Sequence, residues 1–441
     1  MAHAHHYPPR EEILRAIDAP IPKTLRLASL VLAVIGALVF VVGLFVNPDR
    51  AWTSLHFNWL FFASVSSAAV VFVAVQRVTT ARWSRPVVRF LEGYVAFLPV
   101  AWVLLLVITL AGASHVFPWA GREVPPVPEK VLYFQPWFFL LRTIGMFTLI
   151  TWLSLWYVYT SVRLDVGLVP EAGASWARGL RERMRRGFGE ERRELHSTHS
   201  LQGRLAVFLI LIFGYGWVSL AWDLSMSLSL HFQSTMYAWA FFMGAWLGAL
   251  MSWNILTRWW DKHLGLGQII GDNIYHDLGK LGFAFAAFWG YLSFGQLLII
   301  WYGNMAEETH FFNLRLSQPW TAVTTAVGVL MFIIPFFGLM GKRPKMMAPF
   351  MIAVAACTTL GLWLHRYIEV YPSIFGHSTT LPFGLWEIGV GLGYLGAWGL
   401  CYIAFMDAFP RMRVVLMTSP FRDEVQVPVD PRTMEPLPAH E

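Results

Sequence analysis

Residues 24–46 read TLRLASLVLAVIGALVFVVGLFV, an apolar run in which Arg26 is the single charged residue. A helix rises about 1.5 Å per residue, so a run of this length crosses the roughly 30 Å of hydrocarbon in a bilayer. Comparable runs recur along the 441 residues. The sequence therefore predicts an all-α polytopic membrane protein rather than the two or three soluble domains that this length would otherwise suggest.

The composition agrees with this class and narrows the function. Hydrophobic residues make up 56% of the chain and charged residues 14%, whereas soluble domains carry about 25% charged residues. Cys357 and Cys401 lie in apolar runs and far apart, so we expect neither a disulfide framework nor a cysteine-ligated cluster. The net charge of +6 comes from basic residues between apolar runs, which is typical of topology signals and does not indicate nucleic acid binding.

We predict ten spanning helices within a transmembrane domain of residues 24–406. Residues 1–23 form a polar N-terminal segment that lacks the features of a signal peptide, residues 161–202 a long loop, and residues 407–441 a tail rich in proline and charge. The loop and the tail are expected to dock other proteins. Helices two to five and six to nine are expected to form two four-helix bundles, with the first and last helices added. The predicted spans are 24–46, 55–76, 91–112, 136–160, 203–222, 236–256, 278–301, 318–340, 348–367 and 383–406.

The basic residues support an even number of helices. Of the 33 Lys and Arg residues, 26 fall in segments that ten helices place on the side of the termini, four in the loops on the other side, and three within or at the ends of spans. Cytoplasmic segments of membrane proteins are enriched in Lys and Arg. Both termini are therefore predicted to be cytoplasmic.

Ionisable groups inside a bilayer are functional candidates, because each costs at least about 2.5 kcal/mol to insert. The segment WDLSMSLSLHFQSTMYAW, residues 222–239, places Asp223, Ser227 and His231 at the outer boundary. A carboxylate near an imidazole would accept the two protons that a quinol releases on oxidation. The alternative is that these groups only cap helix ends or form an interfacial salt bridge with Arg366. Other polar residues predicted at this level are Tyr302, Glu307, Glu308, His365, Arg366, Glu369 and Glu387.

A buried arginine adds to this outer cluster. Arg142 is predicted to lie roughly 9 Å deep in the fourth helix, where it needs a carboxylate partner. Asp223 and Glu387 are both candidates. His56 and Asn58, at the outer start of the second helix, either join the cluster or are ordinary loop groups.

The seventh helix carries a polar stripe. At about 100° per residue, Lys280, Tyr291 and Tyr302 fall on one face, with His276 and Asp277 at its inner mouth. This stripe is a candidate proton path. The alternative is that the tyrosines belong to an aromatic belt and that Lys280 extends to the lipid headgroups.

Missing motifs narrow the function further. The histidines lie at predicted helix ends or in loops, whereas a membrane haem needs axial ligands from its protein, so we expect no haem on this chain. The sequence contains no Walker or GxGxxG phosphate loop between a strand and a helix, so a nucleotide-driven pump is not indicated.

Three segments resemble a known family. They are HFNWLFFASVSSAAVVFVAVQRVTTARWSRPVVRFLE (residues 56–92), WDLSMSLSLHFQSTMYAWAFFMGAW (residues 222–246) and DLGKLGFAFAAFWGYLSFGQLLIIWYGNMAEET (residues 277–309). These segments are similar to the polysulfide-reductase-like (NrfD-like) family of quinone-interacting membrane subunits. More specifically, they resemble the second quinone-binding-type membrane subunit of bacterial alternative complex III.

The resemblance implies a subunit of a respiratory quinol-oxidising complex in the bacterial cytoplasmic membrane that performs no complete reaction alone and carries no metal itself. It implies a proton-translocation path on this chain and a site for menaquinone or ubiquinone. The implied partners are lipids, a homologous quinone-binding membrane subunit, a terminal oxidase, and iron–sulfur and c-type cytochrome subunits that hold the iron–sulfur clusters and haem c. Residues that match the family motifs are Asp223, Ser227, His231, Asp277, Lys280, Gln296, Glu307 and Glu308. Leu230 departs from the motif, which has proline before His231.

Two other functions are open from the residues alone. Ten helices with a bundle repeat also suit a secondary transporter, although no pair of Gly- or Pro-broken helices is evident at the midplane. The arginine-rich residues 178–193 suit a structural membrane anchor that docks peripheral enzymes in the cytoplasm.

Overall fold

The computed structural model describes residues 9–120, 130–422, 424 and 425. These residues are mostly helical and include no strand. Within these described ranges, ten helices are long and apolar enough to cross a membrane, so the predicted fold class is confirmed and the chain is a multi-pass membrane protein. They are α1 Lys23–Val46, α2 Pro48–Val78, α3 Arg89–Ala111, α4 Pro136–Leu168, α5 Glu191–Leu228, α6 Thr235–Leu264, α7 Asp272–Gly303, α8 Thr321–Gly338, α9 Ala348–Phe375 and α10 Leu385–Ala408.

Three spans are interrupted, and short helices connect the others. A 3-10 segment, Gly93–Phe97, lies inside α3, and a 3-10 turn, Met226–Leu228, follows the last α-helical residue of α5. A π-helical segment, Val329–Ile333, lies inside α8. The remaining short helices are Arg10–Ile17, Ala113–Val116, Lys130–Tyr133, Ser175–Ala177, Arg178–Arg185, Ala306–Leu316, Lys342–Met346 and Val414–Thr418.

The helices are arranged as two bundles and a pair. Helices α2, α3, α4 and α5 pack around one another, α6, α7, α8 and α9 form the second group, and α1 packs along α10. This is the predicted arrangement of two four-helix bundles with two added helices. Helix α2 lies at the centre and contacts helices of both bundles and of the pair. It is buried along most of its length, although it carries several polar residues.

Helix α2 begins at Pro48, seven residues before the predicted start. The Asn47 side chain accepts a hydrogen bond from the Arg50 amide at 3.2 Å, and Pro48 occupies the first turn. An asparagine cap followed by proline is a common helix start. As a result, Arg50, His56 and Asn58 belong to a helix rather than to a loop.

The two ends of the described chain lie at the same end of the molecule, which we name the termini side; the opposite end is the far side. Arg10 bonds the Leu168 carbonyl and Val415 bonds Asp165. The predicted loop at residues 161–202 is shorter than expected, because α4 continues to Leu168 and α5 begins at Glu191. The ion pair Arg163–Glu194, at 2.7 Å, joins these extensions.

The start of the predicted docking tail is packed against the bundle rather than free. Met412, Val414 and Met417 are almost fully buried, and the helix Val414–Thr418 contacts Arg10–Ile17 and α4. The rest of the predicted tail, residues 426–441, and residues 1–8 of the N-terminal segment lie outside the described residues.

Glycines bring α1 and α10 into backbone contact. A Cβ atom at Gly36 would lie 2.1 Å from the Gly393 Cα, and one at Gly396 would lie 2.3 Å from the Ala33 nitrogen. Because lipid supplies no hydrophobic drive for helix association, close packing through small residues holds such pairs together. The α1–α10 pair therefore depends on glycine at these positions.

Replacing Gly36 by leucine is expected to separate α1 from α10, because the new side chain has no room beside Gly393. We expect a loss of about 1–3 kcal/mol of stability, measured as a lower Tm of the detergent-solubilised protein. Gly145→Leu is the matched control, since a Cβ at Gly145 meets no atom of the described residues within 4 Å. An equal fall in both variants, or none in Gly36→Leu, would contradict this packing.

Candidate functional site: buried ion pairs and a polar column

Asp223 is the centre of a buried ion pair on the far side of the first bundle. It is fully buried in the last turn of α5. Arg142 of α4 donates two hydrogen bonds to its carboxylate, at 2.6 and 2.8 Å, and Thr143 a third at 3.2 Å. Of the two candidate partners for Arg142, the structure therefore selects Asp223.

Tyr133 completes this site from outside the membrane span. Its hydroxyl donates to the Asp223 carboxylate at 2.6 Å, and its ring stacks against the Arg142 guanidinium. Burial, with the adjacent negative charge of Asp223, raises the pKa of Tyr133 well above its ordinary value. The phenol therefore stays protonated and serves as a hydrogen-bond donor.

Glu387 forms a second ion pair rather than joining the first. It lies in the first turn of α10, fully buried, and accepts hydrogen bonds from Arg50 at 2.7 to 3.0 Å. Tyr371 donates to the same carboxylate at 2.8 Å and is 2.8 Å from Ser54 of α2. Arg50, which the sequence placed in a loop between spans, therefore ties α2 to α10.

The third ion pair lies in the second bundle. Arg366 is fully buried, bonds Glu369 one turn along α9 at 2.5 Å, and donates to the Phe241 carbonyl at 2.7 Å. The His365 Nδ1 is 3.6 Å from the Glu369 carboxylate, too far for a hydrogen bond. Arg315, between α7 and α8, bonds the Ile368 and Glu369 carbonyls, and burial lowers its pKa to about 9.

The predicted single cluster is therefore three separate ion pairs. His231 is exposed, whereas Asp223 is buried. Ser227 hydrogen-bonds the Asp223 carbonyl at 2.5 Å, because the α-helix stops at Leu224 and the next residues turn back as a 3-10 turn. The expected pairing of Asp223 with His231 is not seen, since Asp223 is buried and bonds Arg142, whereas the His231 side chain is exposed.

The other residues predicted at the far side are distributed as follows. His56 is buried in α2, with its Nε2 2.7 Å from the Leu224 carbonyl, and Asn58 is buried one half-turn further on, where it bonds Trp363. Glu307 is exposed and Glu308 half-exposed, in the helix Ala306–Leu316. Neither of these two carboxylates belongs to the three ion pairs.

A charge cluster on the termini side was not found from the sequence. Arg89 and Glu92 of α3 are fully buried and pair at 2.5 Å, and Arg89 also pairs with Asp165 of α4. Arg413 pairs with Glu92 from the segment after α10. Burial opposes the charge of Arg413, but Glu92 outweighs it, so the pKa of Arg413 is raised. We name Arg89, Glu92, Asp165 and Arg413 the termini-side cluster.

Polar side chains of α4 connect the two sides of the first bundle. At about 100° per residue around the α4 axis, these side chains lie within roughly 80° of the Thr143 side chain, on one face of the helix. The hydroxyls of Thr151 and Ser154, and of Ser66 on α2, are buried and have no hydrogen-bond partner among the described residues. We name this set the α4 column: Thr143, Thr151, Ser154, Tyr157, Ser161 and Asp165.

The column is interrupted by an aromatic layer. Phe147 and Ile150 are fully buried between Thr143 and Thr151, a separation of about 12 Å along the helix. Trp59 and Trp217 pack on Phe147 with ring centroids 5.0 and 6.2 Å away. The polar column therefore consists of two parts with an apolar layer between them.

The predicted stripe on α7 faces outwards. Lys280, Tyr291 and Tyr302 do share one face, but all three are exposed, Tyr302 by 87%. Lys280 pairs with Asp277 at 2.7 Å on the same surface. The stripe therefore lies on the surface of this chain. Its role in a proton path stays a prediction, and such a path would need the surface of another subunit to cover it.

The two remaining residues of that predicted path differ from each other. His276 is half-exposed near the stripe, whereas Gln296 is buried and donates to the Ser234 hydroxyl at 3.0 Å. In the described part of the chain, no three His, Cys, Asp or Glu side chains are grouped so as to hold a metal ion. Neither a scan of known protein-family models nor a search of curated proteins finds a match to this sequence.

Removing one member of the Arg142–Asp223 pair is expected to strand the other as a buried charge. Asp223→Leu and Arg142→Met should each cost about 3–5 kcal/mol of stability. The double variant should lose less than the sum of both, which unfolding of the purified protein in mixed detergent measures. Arg15→Met with Glu11→Leu is the control, since that pair is exposed and should show little coupling. Additive losses at Arg142 and Asp223 would contradict the assigned pairing.

Proposed function

We propose that this chain is a membrane subunit of a respiratory quinol-oxidising complex in the bacterial cytoplasmic membrane, where it moves protons. The observation that carries the proposal is the α4 column, a line of polar side chains between the buried charges on the two sides of the first bundle that is interrupted once, by the aromatic layer. Proton-transfer chains in membrane proteins are built from such intramembrane polar groups. The reaction itself would need the partner subunits.

The termini-side cluster is suited to proton entry. A small cavity of about 60 Å³ lies beside it, lined by Asp165, Ser161, His199 and Arg413 among others, with room for on the order of four waters. The exposed Arg178, Arg183 and Arg185 lie on the same side. Enrichment in arginine marks cytoplasmic surfaces, so we place both termini and the entry in the cytoplasm.

The aromatic layer is suited to prevent a leak. The unpartnered Ser154 and Thr151 hydroxyls lead from the termini-side cluster to Ile150 and Phe147, where polar groups stop. A proton crosses about 12 Å of apolar packing only through water or a rearrangement. Proton transfer to Asp223 would therefore require that turnover of the complex admits water to the layer or rearranges it. This requirement would couple proton movement to electron transfer.

The redox role rests on the resemblance to the polysulfide-reductase-like family. We infer that iron–sulfur clusters and haem c belong to partner subunits, beside a homologous quinone-binding membrane subunit and a terminal oxidase. Menaquinone or ubiquinone would be the electron donor of the complex. Asp223, at the periplasmic boundary in this orientation, would be the last polar group of the path, and Tyr133 would donate a hydrogen bond to its carboxylate.

Each of the two alternatives has one supporting observation. The 3-10 segment in α3 and the π-helical segment in α8 are interruptions of the kind that transporters use, but they occupy different positions in the two bundles. For the anchor, the exposed arginines of Arg178–Arg185 offer a docking surface. Neither alternative accounts for the buried column that crosses the first bundle.

The test is purification of the complex in mild detergent through a tag on this chain, followed by reconstitution into liposomes. We expect haem c and iron–sulfur subunits to copurify and a quinol to reduce the haems. In Thr151→Val/Ser154→Ala the protons moved per electron should fall at least about tenfold, with electron transfer retained, because the column loses hydroxyls that touch no redox partner.

Thr148→Val is the matched control, since Thr148 lies on the exposed face of the same helix and should leave both rates unchanged. Lys280→Met, on the α7 stripe, separates the two candidate paths. Recovery of a colourless chain alone would overturn the redox role. Normal proton movement in Thr151→Val/Ser154→Ala, with a loss in Lys280→Met, would move the path to α7.

A further inference from the structure

A groove on the outer surface of the first bundle lies at its termini side. It is lined by α3, α4, the end of α10 and the short helix Arg178–Arg185, and its volume is about 540 Å³, within the roughly 300–1,000 Å³ of small-molecule sites. Along α4 the groove runs from Trp152 to Val162, a rise of about 15 Å. Since this is half of the roughly 30 Å of bilayer hydrocarbon, the groove matches the length of one leaflet. We name it the termini-side groove.

The walls of the termini-side groove are apolar. Among the described residues, the side chains that line it are apolar except for the Tyr159 hydroxyl, and none is charged. Trp152, Trp156 and Tyr159 are exposed there, and at about 100° per residue they point roughly opposite to Thr143 of the α4 column. Aromatic side chains of this kind are enriched at membrane interfaces. The groove is therefore open to lipid and complementary to an alkyl chain.

The helix Arg178–Arg185 holds a basic segment beside the groove. Leu180 and Met184 line the groove, and the helix packs on α4. The buried Arg181 fastens the helix to the end of α10, since its guanidinium donates to the Ala408 carbonyl at 2.9 Å. A helix with an apolar edge and arginines on its other faces is typical of a segment that lies in the membrane interface.

The positive charge of this segment is not neutralised by the protein. Residues 178–186 hold five arginines and one glutamate. Four of the arginines are exposed: Arg178, Arg183, Arg185 and Arg186. In the part of the chain that the structure describes, none of these four forms a salt bridge or a side-chain hydrogen bond, whereas the neighbouring Arg163 pairs with Glu194 at 2.7 Å. Because basic clusters on amphipathic helices attract anionic lipid headgroups, the unpaired charge favours an anionic headgroup over a neutral one.

Arg183 is the arginine of the helix that lies closest in direction to the groove. At about 100° per residue it is about 60° from Leu180, which lines the groove. Arg178 and Arg185 are about 140° or more from Leu180, and Arg186 directly follows the helix. A headgroup at Arg183 would therefore place its alkyl chain beside Leu180 and in the groove.

We propose that the termini-side groove binds an acidic phospholipid, with one acyl chain along Trp152 and Trp156 and the phosphate of its headgroup at Arg183 and Arg186. A neutral lipid would fill the groove but leave the arginines unpaired. The site lies on the opposite face of α4 from the polar column, and it does not depend on the proposed function.

The test is photolabelling of the purified full-length protein, with any subunits that copurify, in phosphatidylcholine nanodiscs. Two trace probes carry the same diazirine acyl chain, one on phosphatidylglycerol and one on phosphatidylcholine, and peptide mass spectrometry locates the label. We expect the phosphatidylglycerol probe to label the α4 peptide around Trp152–Val162 about tenfold more than the other probe. About 1 M salt should remove the difference, because it screens charges beyond roughly 3 Å.

One variant tests the acyl-chain position. Ala96→Trp should abolish this label from both probes, because Ala96 lines the groove and the larger ring would fill it. Leu110→Trp, at an exposed position of α3 that does not line the groove, is the matched control and should keep the label.

A second variant tests the headgroup position and leaves the groove unchanged. Arg183→Gln/Arg186→Gln should keep the label but remove the roughly tenfold preference for phosphatidylglycerol. Lys342→Gln/Arg343→Gln is the matched control, since these two basic residues are exposed in the loop between α8 and α9, and it should keep the preference.

Four results would overturn the inference. They are equal labelling by the two probes in the unchanged protein, label unchanged in Ala96→Trp, an equal loss of preference in both double variants, and crosslinking of the groove to a copurifying polypeptide instead of lipid. None of these readouts involves haem or proton movement, so a failure of this site differs from a failure of the proposed function.

Discussion

The cost of an unpaired charge in a low-dielectric interior governs how this chain is assembled. Among the described residues, each buried carboxylate pairs with at least one arginine. The six carboxylates are Glu92, Asp165, Asp223, Glu369, Glu387 and Asp407. Breaking a buried pair costs far more than an exposed one. The pairs therefore fix which helices pack together, including helices that are not neighbours in the sequence.

Five of these contacts join distant parts of the chain. Arg89–Asp165 joins α3 to α4, and Arg26–Asp407 joins α1 to α10. Arg142–Asp223 joins α4 to α5, Arg50–Glu387 joins α2 to α10, and Arg413–Glu92 holds the segment after α10 on α3. Charges are thus neutralised at both ends of the first bundle. Between the two ends lie the hydroxyl groups of the α4 column, which the aromatic layer interrupts. A polar interior that is neutral overall and interrupted once is suited to controlled proton movement, because it stores no net charge and does not leak.

Much of the fold follows from the sequence, because hydrocarbon imposes a simple length rule. The ten spans, the two bundles and the partnership of Arg142 with one of two named carboxylates were predictable. Helix ends were less so, since Arg163 and Glu194 neutralise each other and let α4 and α5 extend past the apolar runs. The termini-side cluster was missed because Arg89 and Asp165 stand at the ends of apolar runs, where charges usually belong to loops.

The polar stripe on α7 shows a different limit. Helical periodicity correctly placed Lys280, Tyr291 and Tyr302 on one face, but it contains no information on whether that face meets the interior or the surroundings. The same periodicity, applied to hydroxyl residues of α4, would have indicated the column. Small hydroxyl side chains were overlooked because serine and threonine often bond their own helix backbone, whereas Thr151 and Ser154 do not.

The central claim is that the α4 column carries protons, and ordered water in it is the most direct test. A high-resolution electron cryo-microscopy map of the intact complex would show individual waters. Unsatisfied buried hydroxyls recruit water where there is room, so we predict waters bridging Thr151, Ser154 and Ser66 to the termini-side cluster, and none between Phe147 and Ile150. A dry, tightly packed column from Asp165 to Thr143 would contradict the account.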